Sequence, residues 1–293
     1  MNHNQLVGRA IALSAAIFYG FNTTLSRLAY DTGTTPASLT FYRFLMSTVA
    51  MVIIVLILRK GWRLKVRPLV FFCCVFGMVA TSLGHLGAVN YIPVSLSAII
   101  FYTFPLQVVL YKRLINRELV NRFELGSFIL AFIGIGIALG PEFQGIHPIG
   151  LFLACFGSFG ATLFILSYER FPDDADSYVA TLWIMIASLI VASMMLASGM
   201  ELVPPREYIG WRYLTLITIF SVAAFILSLQ AINLVGGGVF AMFLNMEPAV
   251  ILILAWLVIG EELTIARIVG IALVVLALFL SHWKPKQTTA PVE

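Results

Sequence analysis

Ten long apolar stretches follow one another along the chain, separated by short polar loops. A bilayer core about 30 Å thick needs roughly 20 apolar residues per helix, and each stretch has about that length. Their predicted bounds are 7–29, 36–58, 68–89, 94–114, 123–141, 148–168, 178–199, 211–233, 238–260 and 265–283. The pattern therefore predicts an all-α membrane protein with ten transmembrane helices.

The composition indicates the same class of protein. Of the 293 residues, 60% are hydrophobic and 11% are charged, whereas a soluble domain carries about a quarter charged residues. Such a chain cannot cover itself with polar surface, so the lipid bilayer must be its solvent. The cysteines Cys73, Cys74 and Cys155 lie inside apolar stretches and indicate no disulfide framework.

Basic residues are distributed unevenly among the loops. The loop after the second stretch contains Arg59, Lys60, Arg63, Lys65 and Arg67. The loop after the fourth stretch contains Lys112, Arg113, Arg117 and Arg122. The loops after the third and fifth stretches contain no Lys or Arg. Because cytoplasmic loops collect these residues, we expect a multi-pass protein of the cytoplasmic (inner) membrane with both termini in the cytoplasm. The net charge of +4 follows from this topology and does not indicate a nucleic-acid partner.

Two stretches of the chain resemble each other, AVNYIPVSLSAIIFYTFPL (88–106) and AINLVGGGVFAMFLNMEPA (231–249). Their gapless alignment matches Ala88, Asn90, Ala98 and Pro105 to Ala231, Asn233, Ala241 and Pro248. The match predicts two five-helix repeats, 1–145 and 146–285, followed by a short cytoplasmic tail, 286–293. Five is an odd number, so the second repeat enters the membrane inverted, a design that places substrate near the midplane between the repeats.

The motif MEPAVILILAWLVIGEELTIARIVGIALVVLAL (246–278) resembles the end of an EamA-type repeat of the drug/metabolite transporter superfamily. The shared features are a proline-centred helix, a GE-x-L-T turn at Gly260, Glu261, Leu263 and Thr264, and a final helix that contains glycine. The segment 104–126 is a looser copy without the glycine–glutamate pair. This resemblance implies ten helices in two inverted repeats and a small-molecule carrier, often an exporter of amino acids or related metabolites.

Polar side chains three and four residues apart share one face of a helix, and lipid rejects such a face. We therefore expect helices 1–4 and 6–9 to surround a cavity and helices 5 and 10 to act as scaffold. The predicted substrate-contacting residues are Tyr19, Asn22, Arg43, His85, Tyr102, Gln107 and Glu247. The alternative for many of the polar residues is packing between helices, where Ser, Thr and Gly are common.

Arg43 and Glu247 lie within apolar stretches, where a central charge costs about 3 kcal/mol. One interpretation is a buried ion pair between them that holds the two repeats together. The other is a polar site in which Arg43 binds a substrate carboxylate and Glu247 binds an amine or a proton. The sequence leaves both interpretations open.

Prolines and glycines indicate where the helices bend. Pro248 removes the hydrogen bond to the carbonyl of Leu244, and Pro105 predicts a matching kink, although Phe104 stands in the place of Glu247. The run Gly236, Gly237 and Gly238 begins the ninth helix where Pro93 stands in the first repeat, and it indicates a gate hinge or a plain tight turn. Gly136 and Gly140, in GxxxG spacing, predict close helix packing.

Two functional hypotheses follow. The first is a secondary transporter that moves a small amphiphilic metabolite, with amino acid export as the specific expectation, by alternating access. The second is a membrane-embedded enzyme or sensor that acts on a lipid-like molecule, with Glu247 as acid or base.

The sequence contains no P-loop and no HExxH motif, so we expect no catalytic residues, metal or cofactor. The expected partners are the substrate, the bilayer and a proton as candidate coupling ion. One chain supplies both halves, which fits a monomer.

Overall fold

The computed structural model describes residues 3–88, 91–92, 94–114, 122–140, 147–172, 174–197, 199, 201–260, 262 and 264–281. In the first half, the helices are α1 (His3–Tyr30), α2 (Pro36–Ile57), α3 (Pro68–Ala88), α4 (Val94–Phe101), α5 (Phe104–Leu114) and α6 (Arg122–Leu139). The second half contains α7 (Pro148–Tyr168), α8 (Ser177–Ala197), α9 (Tyr208–Leu244), α10 (Met246–Leu254), a π-helical turn (Ala255–Ile259) and α11 (Ile265–Ser281). Some residues named in the sequence predictions lie outside the described residues: Asn90, Pro93, Arg117, Glu261, Leu263 and the C-terminal tail.

The prediction of ten transmembrane helices is confirmed, although two of the crossings are built from pieces. Six of the described helices, α1, α2, α3, α7, α8 and α9, are long and apolar enough to cross a membrane. The helix α9 has 37 residues, about 55 Å of helix, and Gly236, at φ +79°, divides it into two crossings. We number the crossings as spans: α1 to α3 are spans 1–3, α4 with α5 is span 4, and α6 to α8 are spans 5–7. The part of α9 before Gly236 is span 8, the rest with α10 and the π-helical turn is span 9, and α11 is span 10.

The spans assemble into two groups related by the repeat. Span 1 packs most extensively against spans 8 and 9, and these three form the first helix group. Span 6 packs in the same way against spans 3 and 4, which form the second helix group. Span 2 packs on span 7, and span 5 on span 10. Exchanging the two halves of the chain converts one helix group into the other, as an inverted repeat requires.

Glycines allow the backbones of spans 3 and 6 to approach closely. A Cβ atom at Gly77 would lie 2.6 Å from the backbone nitrogen of Phe164, and one at Gly160 would lie 2.6 Å from that of Thr81. A side chain at Gly84 would collide with the backbone of Gly157. Small residues at such contacts are the usual means by which membrane helices associate, so this seam makes the second helix group a rigid unit.

Both predicted proline kinks are present. The helix α4 ends at Phe101 and α9 ends at Leu244, and each residue lies four positions before a proline, Pro105 or Pro248. The proline cannot donate to the carbonyl of that residue, so the helix stops and a new one begins. At the first break, the hydroxyl of Thr103 donates to the carbonyl oxygen of Ile100 at 2.7 Å. The two breaks occupy equivalent positions in the two repeats.

The prediction that Gly136 and Gly140 mediate close packing is wrong. A Cβ atom at either residue would meet no atom of the described residues within 4 Å, and Gly140, at φ +54°, follows the end of α6. The close contact to span 10 is instead made by Gly134, because its added Cβ atom would lie 2.8 Å from the carbonyl oxygen of Gly270. The GxxxG spacing defines one face of a helix, but it does not decide which face meets the partner.

Substitution of these two neighbouring glycines by alanine should therefore have opposite effects. Gly134→Ala places a methyl group against the backbone of span 10, which should cost about 1–3 kcal/mol and lower the melting temperature by about 2–8 °C. Gly136→Ala meets open space and gains helix propensity of about 1 kcal/mol, so the melting temperature should stay or rise. Thermal unfolding of both variants in detergent, followed by intrinsic fluorescence, measures the difference. Equal shifts would contradict this assignment of the packing face.

Candidate functional site

Glu247 lies at the start of α10, directly after the break in span 9. The hydroxyl of Thr23, on span 1, donates to its carboxylate oxygen Oε1 at 3.0 Å. The hydroxyl of Tyr102, at the break in span 4, interacts with the same carboxylate from the second helix group. Both of these neighbours are neutral. Among the described residues, the carboxylate has no cation within ion-pair distance.

Arg43 lies on span 2 and also has no carboxylate partner in the described part of the chain. Its Nη2 atom donates to the hydroxyl of Ser82 at 3.2 Å. The guanidinium carbon lies 5.2 Å from the centre of the Phe44 ring. The ion pair between Arg43 and Glu247, one of the two interpretations that the sequence left open, is therefore not formed in this conformation.

Tyr19 lies near both charged residues. It lies on span 1, its hydroxyl accepts a hydrogen bond from Ser228 at 3.3 Å, and it is within electrostatic reach of both Arg43 and Glu247. The structure thus brings together a cation from span 2, a phenol from span 1 and a carboxylate from span 9. We call Tyr19, Arg43 and Glu247 the central polar site.

The central polar site keeps part of its surface free of protein contact. Tyr19, Arg43 and Glu247 are each half-buried, as are His85 and Gln107, although all five lie within spans. Several nearby polar atoms are buried without a described hydrogen-bond partner, among them Oδ1 of Asn22 and Nδ1 of His85. A buried unsatisfied polar atom costs about 1–3 kcal/mol, so these two atoms are destabilising in this conformation.

Aromatic rings lie beside these polar groups. The ring of His85 lies 4.5 Å from that of Phe101, centroid to centroid, and Phe101 packs against Tyr102 and Phe104 at 5.4 and 5.3 Å. Tyr102 is only 5% exposed, so its hydroxyl is held toward Glu247 by the surrounding rings. The arrangement places aromatic surface next to the carboxylate of Glu247 and the ring of His85.

Gln107, another predicted contact residue, is already occupied by hydrogen bonds within the second helix group. Its Nε2 atom donates to the hydroxyls of Thr103 and Ser158 at 3.1 and 2.8 Å, and its Oε1 accepts from Thr162 at 3.1 Å. Both amide hydrogens are therefore used inside the protein. Gln107 joins span 4 to span 6 next to the break at Pro105.

Two residues of the site were not selected from the sequence. Thr23, which binds Glu247, lies four residues after Tyr19, so the helical spacing that identified Tyr19 also includes it. Ser82, which binds Arg43, lies three residues before His85 and carries the same signal. Neither could be distinguished in advance from the many Ser and Thr residues that pack between membrane helices.

We call the end of the bundle at which α1 begins the amino end. A second cluster of charges lies there. There Nζ of Lys112 lies 2.6 Å from Oε1 of Glu169, and the same oxygen accepts a hydrogen bond from the backbone N–H of Gly237. The sequence placed Gly236, Gly237 and Gly238 at the entrance of span 9, as the structure does, but it did not indicate Glu169. The available signal was an acidic residue at the C-terminal end of a helix, where the helix dipole disfavours it.

Comparison with known proteins identifies the family to which the chain belongs. A sequence model of the EamA-like transporter family matches residues 6–140 and again residues 148–283. Two relatives, each 24% identical, are the uncharacterized transporter sll1319 of Synechocystis sp. and the uncharacterized transporter YetK of Bacillus subtilis. The alignments cover 97% of this chain and 95% of the former, and 85% of this chain and 78% of the latter.

A solved crystal structure has the same fold. It superposes with a TM-score of 0.81 over 94% of this chain and 97% of its own, at 15% sequence identity. The double family match covers nearly all of the ten spans, and it confirms the resemblance seen in the motif of residues 246–278. The chain belongs to the EamA-like transporter family and is a multi-pass membrane transporter of the drug/metabolite transporter type.

Proposed function

We propose that this protein is a secondary transporter that exports small amphiphilic metabolites, with amino acids as the substrate class, by alternating access. The observation that carries the proposal is the central polar site. A cation and a carboxylate lie at membrane depth, and they are not paired with each other. An uncompensated charge at that depth is costly. We infer that each charge is retained because it binds a charged group of the substrate, which associates and dissociates during transport.

Arg43 supplies the site for the substrate carboxylate. A guanidinium has five N–H donors in a planar fork that matches a carboxylate, and the hydroxyl of Ser82 takes a hydrogen bond from Nη2 alone. The remaining donors suit a bidentate contact. Tyr19, within reach of both charges, stands where it could bond the polar end of a bound amino acid.

Glu247 supplies the site for the substrate ammonium group. Thr23 and Tyr102 fix the position of its carboxylate without neutralising it, so the negative charge is available to a cation. A proton is the other cation that fits there, which makes Glu247 the candidate for coupling transport to the proton gradient. Of the neighbouring rings, Phe101 is 9% exposed and Phe104 only 2%, so Phe101 is the candidate contact for the substrate side chain.

The direction of transport and the membrane are parts of the same proposal. The amino end carries basic residues after span 2 and in the last turn of span 4, namely Arg59, Lys60, Arg63, Lys65 and Arg67, and Lys112 and Arg113. Short loops rich in Lys and Arg stay in the cytoplasm, so this end faces inward and both termini are cytoplasmic. Export is supported by the resemblance to carriers that release metabolites from the cell.

Arg43→Gln should abolish the carboxylate contact and leave the fold intact. The loss of charge-assisted hydrogen bonds worth about 1.5–3 kcal/mol predicts a 10- to 150-fold weaker apparent affinity in counterflow of labelled amino acids in proteoliposomes. Arg63→Gln, in an exposed loop position, is the matched control and should exchange normally. Normal exchange by an Arg43→Gln/Glu247→Gln double variant would disprove the site. Recovery of the labelled substrate chemically unchanged separates a carrier from an enzyme.

Glu247→Gln distinguishes an amine site from a proton site. If Glu247 binds the ammonium group, the variant should lose its preference for an amino acid over the N-acetyl derivative, both in counterflow and in uptake driven by a pH gradient. If Glu247 carries the coupling proton, counterflow should persist while the response to the imposed gradient disappears. Glu207→Gln, an exposed position before α9, is the control and should change neither property.

A further inference from the structure

The two helix groups touch each other mainly in the half of the bundle near the amino end. The helix α5, the half of span 4 that ends there, packs against α9, whereas α4 packs against α7, α6 and α3. The rings of Phe164 and Phe225 bring spans 6 and 8 into contact at 5.3 Å. The amino end is therefore closed between the groups, below the central polar site.

At this closed end, Asn233 of span 8 donates to the hydroxyl of Tyr168 of span 6 at 3.3 Å, and a charged side chain also connects the two groups. Glu169 follows the last residue of α7, in the second helix group, and its carboxylate accepts from the backbone N–H of Gly237, at the start of span 9 in the first helix group. Lys112, also in the second group, holds the same carboxylate oxygen at 2.6 Å. We call Glu169, Lys112 and Gly237 the amino-end cluster.

The position of Glu169 is unfavourable for its own helix. A negative charge at the C-terminal end of a helix is repelled by the helix dipole, whereas the same charge at an N-terminus is attracted and satisfies a free N–H group. Glu169 meets the N-terminus of span 9, where the break at Gly236 leaves N–H groups without helical partners. The gain from this carboxylate is thus realised only while the two helix groups are together.

Two further features distinguish the contact between Glu169, Lys112 and Gly237 from an ordinary surface ion pair. The side chains of Lys112 and Glu169 are only 16% and 18% exposed, against 39% and 30% for the surface ion pair of Lys60 and Asp176, which has the same 2.6 Å distance. A side chain at Gly237 would collide with Ile165 and Glu169. The glycine therefore leaves room for the carboxylate to reach the helix N-terminus.

We propose that Glu169, held by Lys112, is the latch that keeps the cytoplasmic side of the transporter closed, and that its release from Gly237 opens the central polar site to the cytoplasm. This inference rests on the proposed function, because a latch has a role only in a protein that alternates between two openings. The structure is then a conformation whose cytoplasmic side is closed to substrate. Loading of substrate from the cytoplasm requires the carboxylate of Glu169 to leave the start of span 9.

The test measures access to the interface, independently of transport. Cys73, Cys74 and Cys155 are first replaced by alanine, and Ile165, which is 2% exposed beside Gly237, is replaced by cysteine. Labelling by a membrane-impermeant maleimide from the cytoplasmic side of inside-out vesicles reports opening of the amino end. Glu169→Gln should increase the labelling rate about tenfold, and Lys112→Gln should increase it by a smaller factor. Asp176→Asn, which breaks the surface pair, should leave the rate unchanged.

A pair of glycine substitutions tests the latch without removing a charge. In the Ile165→Cys background, the methyl group of Gly237→Ala still lies 2.9 Å from Cδ of Glu169, so it displaces the carboxylate and should also accelerate labelling of the cysteine at position 165. Gly238→Ala is the matched control, since its Cβ atom would lie no closer than 3.9 Å to Lys112, and it should behave like the parent. A cysteine at Ile135, fully buried in span 5, should stay unlabelled in every variant, which shows that the bundle remains folded.

The possible results separate the latch from the transport proposal. If Glu169→Gln and Gly237→Ala label at the parent rate while the parent exchanges amino acids, the latch is wrong and the transport function stands. If the parent exchanges no substrate of this class, the proposed function fails, and faster labelling in the two variants would still establish the latch as a structural closure. Labelling of the cysteine at position 135 in the Glu169→Gln variant would mean general unfolding and would also overturn the latch.

Discussion

The hydrocarbon interior of a bilayer offers no hydrogen-bond partner, and this constraint governs every irregular position in the molecule. A broken helix exposes N–H and C=O groups that lipid cannot satisfy, so breaks are tolerated only where other protein groups or water meet them. At the break in span 4, Thr103 donates to the carbonyl of Ile100. At the amino end, where span 9 begins near the membrane surface, Glu169 accepts from Gly237. Both irregular positions are therefore satisfied by protein groups, and they bring polar chemistry to the places where the helix groups meet.

The inverted repeat explains why the breaks come in pairs and why their chemistry differs. Phe101 and Leu244 end helices at equivalent positions, because an equivalent proline follows each of them four residues later. Beyond that shared architecture the halves have diverged, since Glu247 has the apolar Phe104 as its counterpart. A strictly symmetric carrier would place two carboxylates at the midplane, where like charges repel. The site instead contains one carboxylate and one guanidinium from different spans, a polarity on which the proposed zwitterionic substrate depends.

The sequence was sufficient for features that depend on local physics. Hydropathy predicted all ten crossings, and the prolines predicted where spans 4 and 9 break. The sequence was insufficient for features that depend on which faces of two helices contact each other. Gly134, and not Gly136, contacts span 10 because of the rotation of the whole helix, which the spacing of glycines does not contain. The partnership of Glu169 with Gly237 joins residues 68 positions apart, and no pattern in the chain links them. The residues of the central polar site could be proposed from their cost in lipid, but their partners, such as Thr23 and Ser82, could not.

Glu247 and Glu169 differ in what surrounds them, and this difference supports the two roles proposed above. Glu169 has a lysine at 2.6 Å and a helix N-terminus, so its charge is already compensated and a ligand would gain little by replacing those partners. Among the described residues, the groups that hydrogen-bond the carboxylate of Glu247 are hydroxyls, which orient it and leave its charge uncompensated. Under the proposed mechanism, the compensated acid stabilises the closed conformation through contacts made in that state alone, and the uncompensated acid binds a cation whose arrival changes the balance between states.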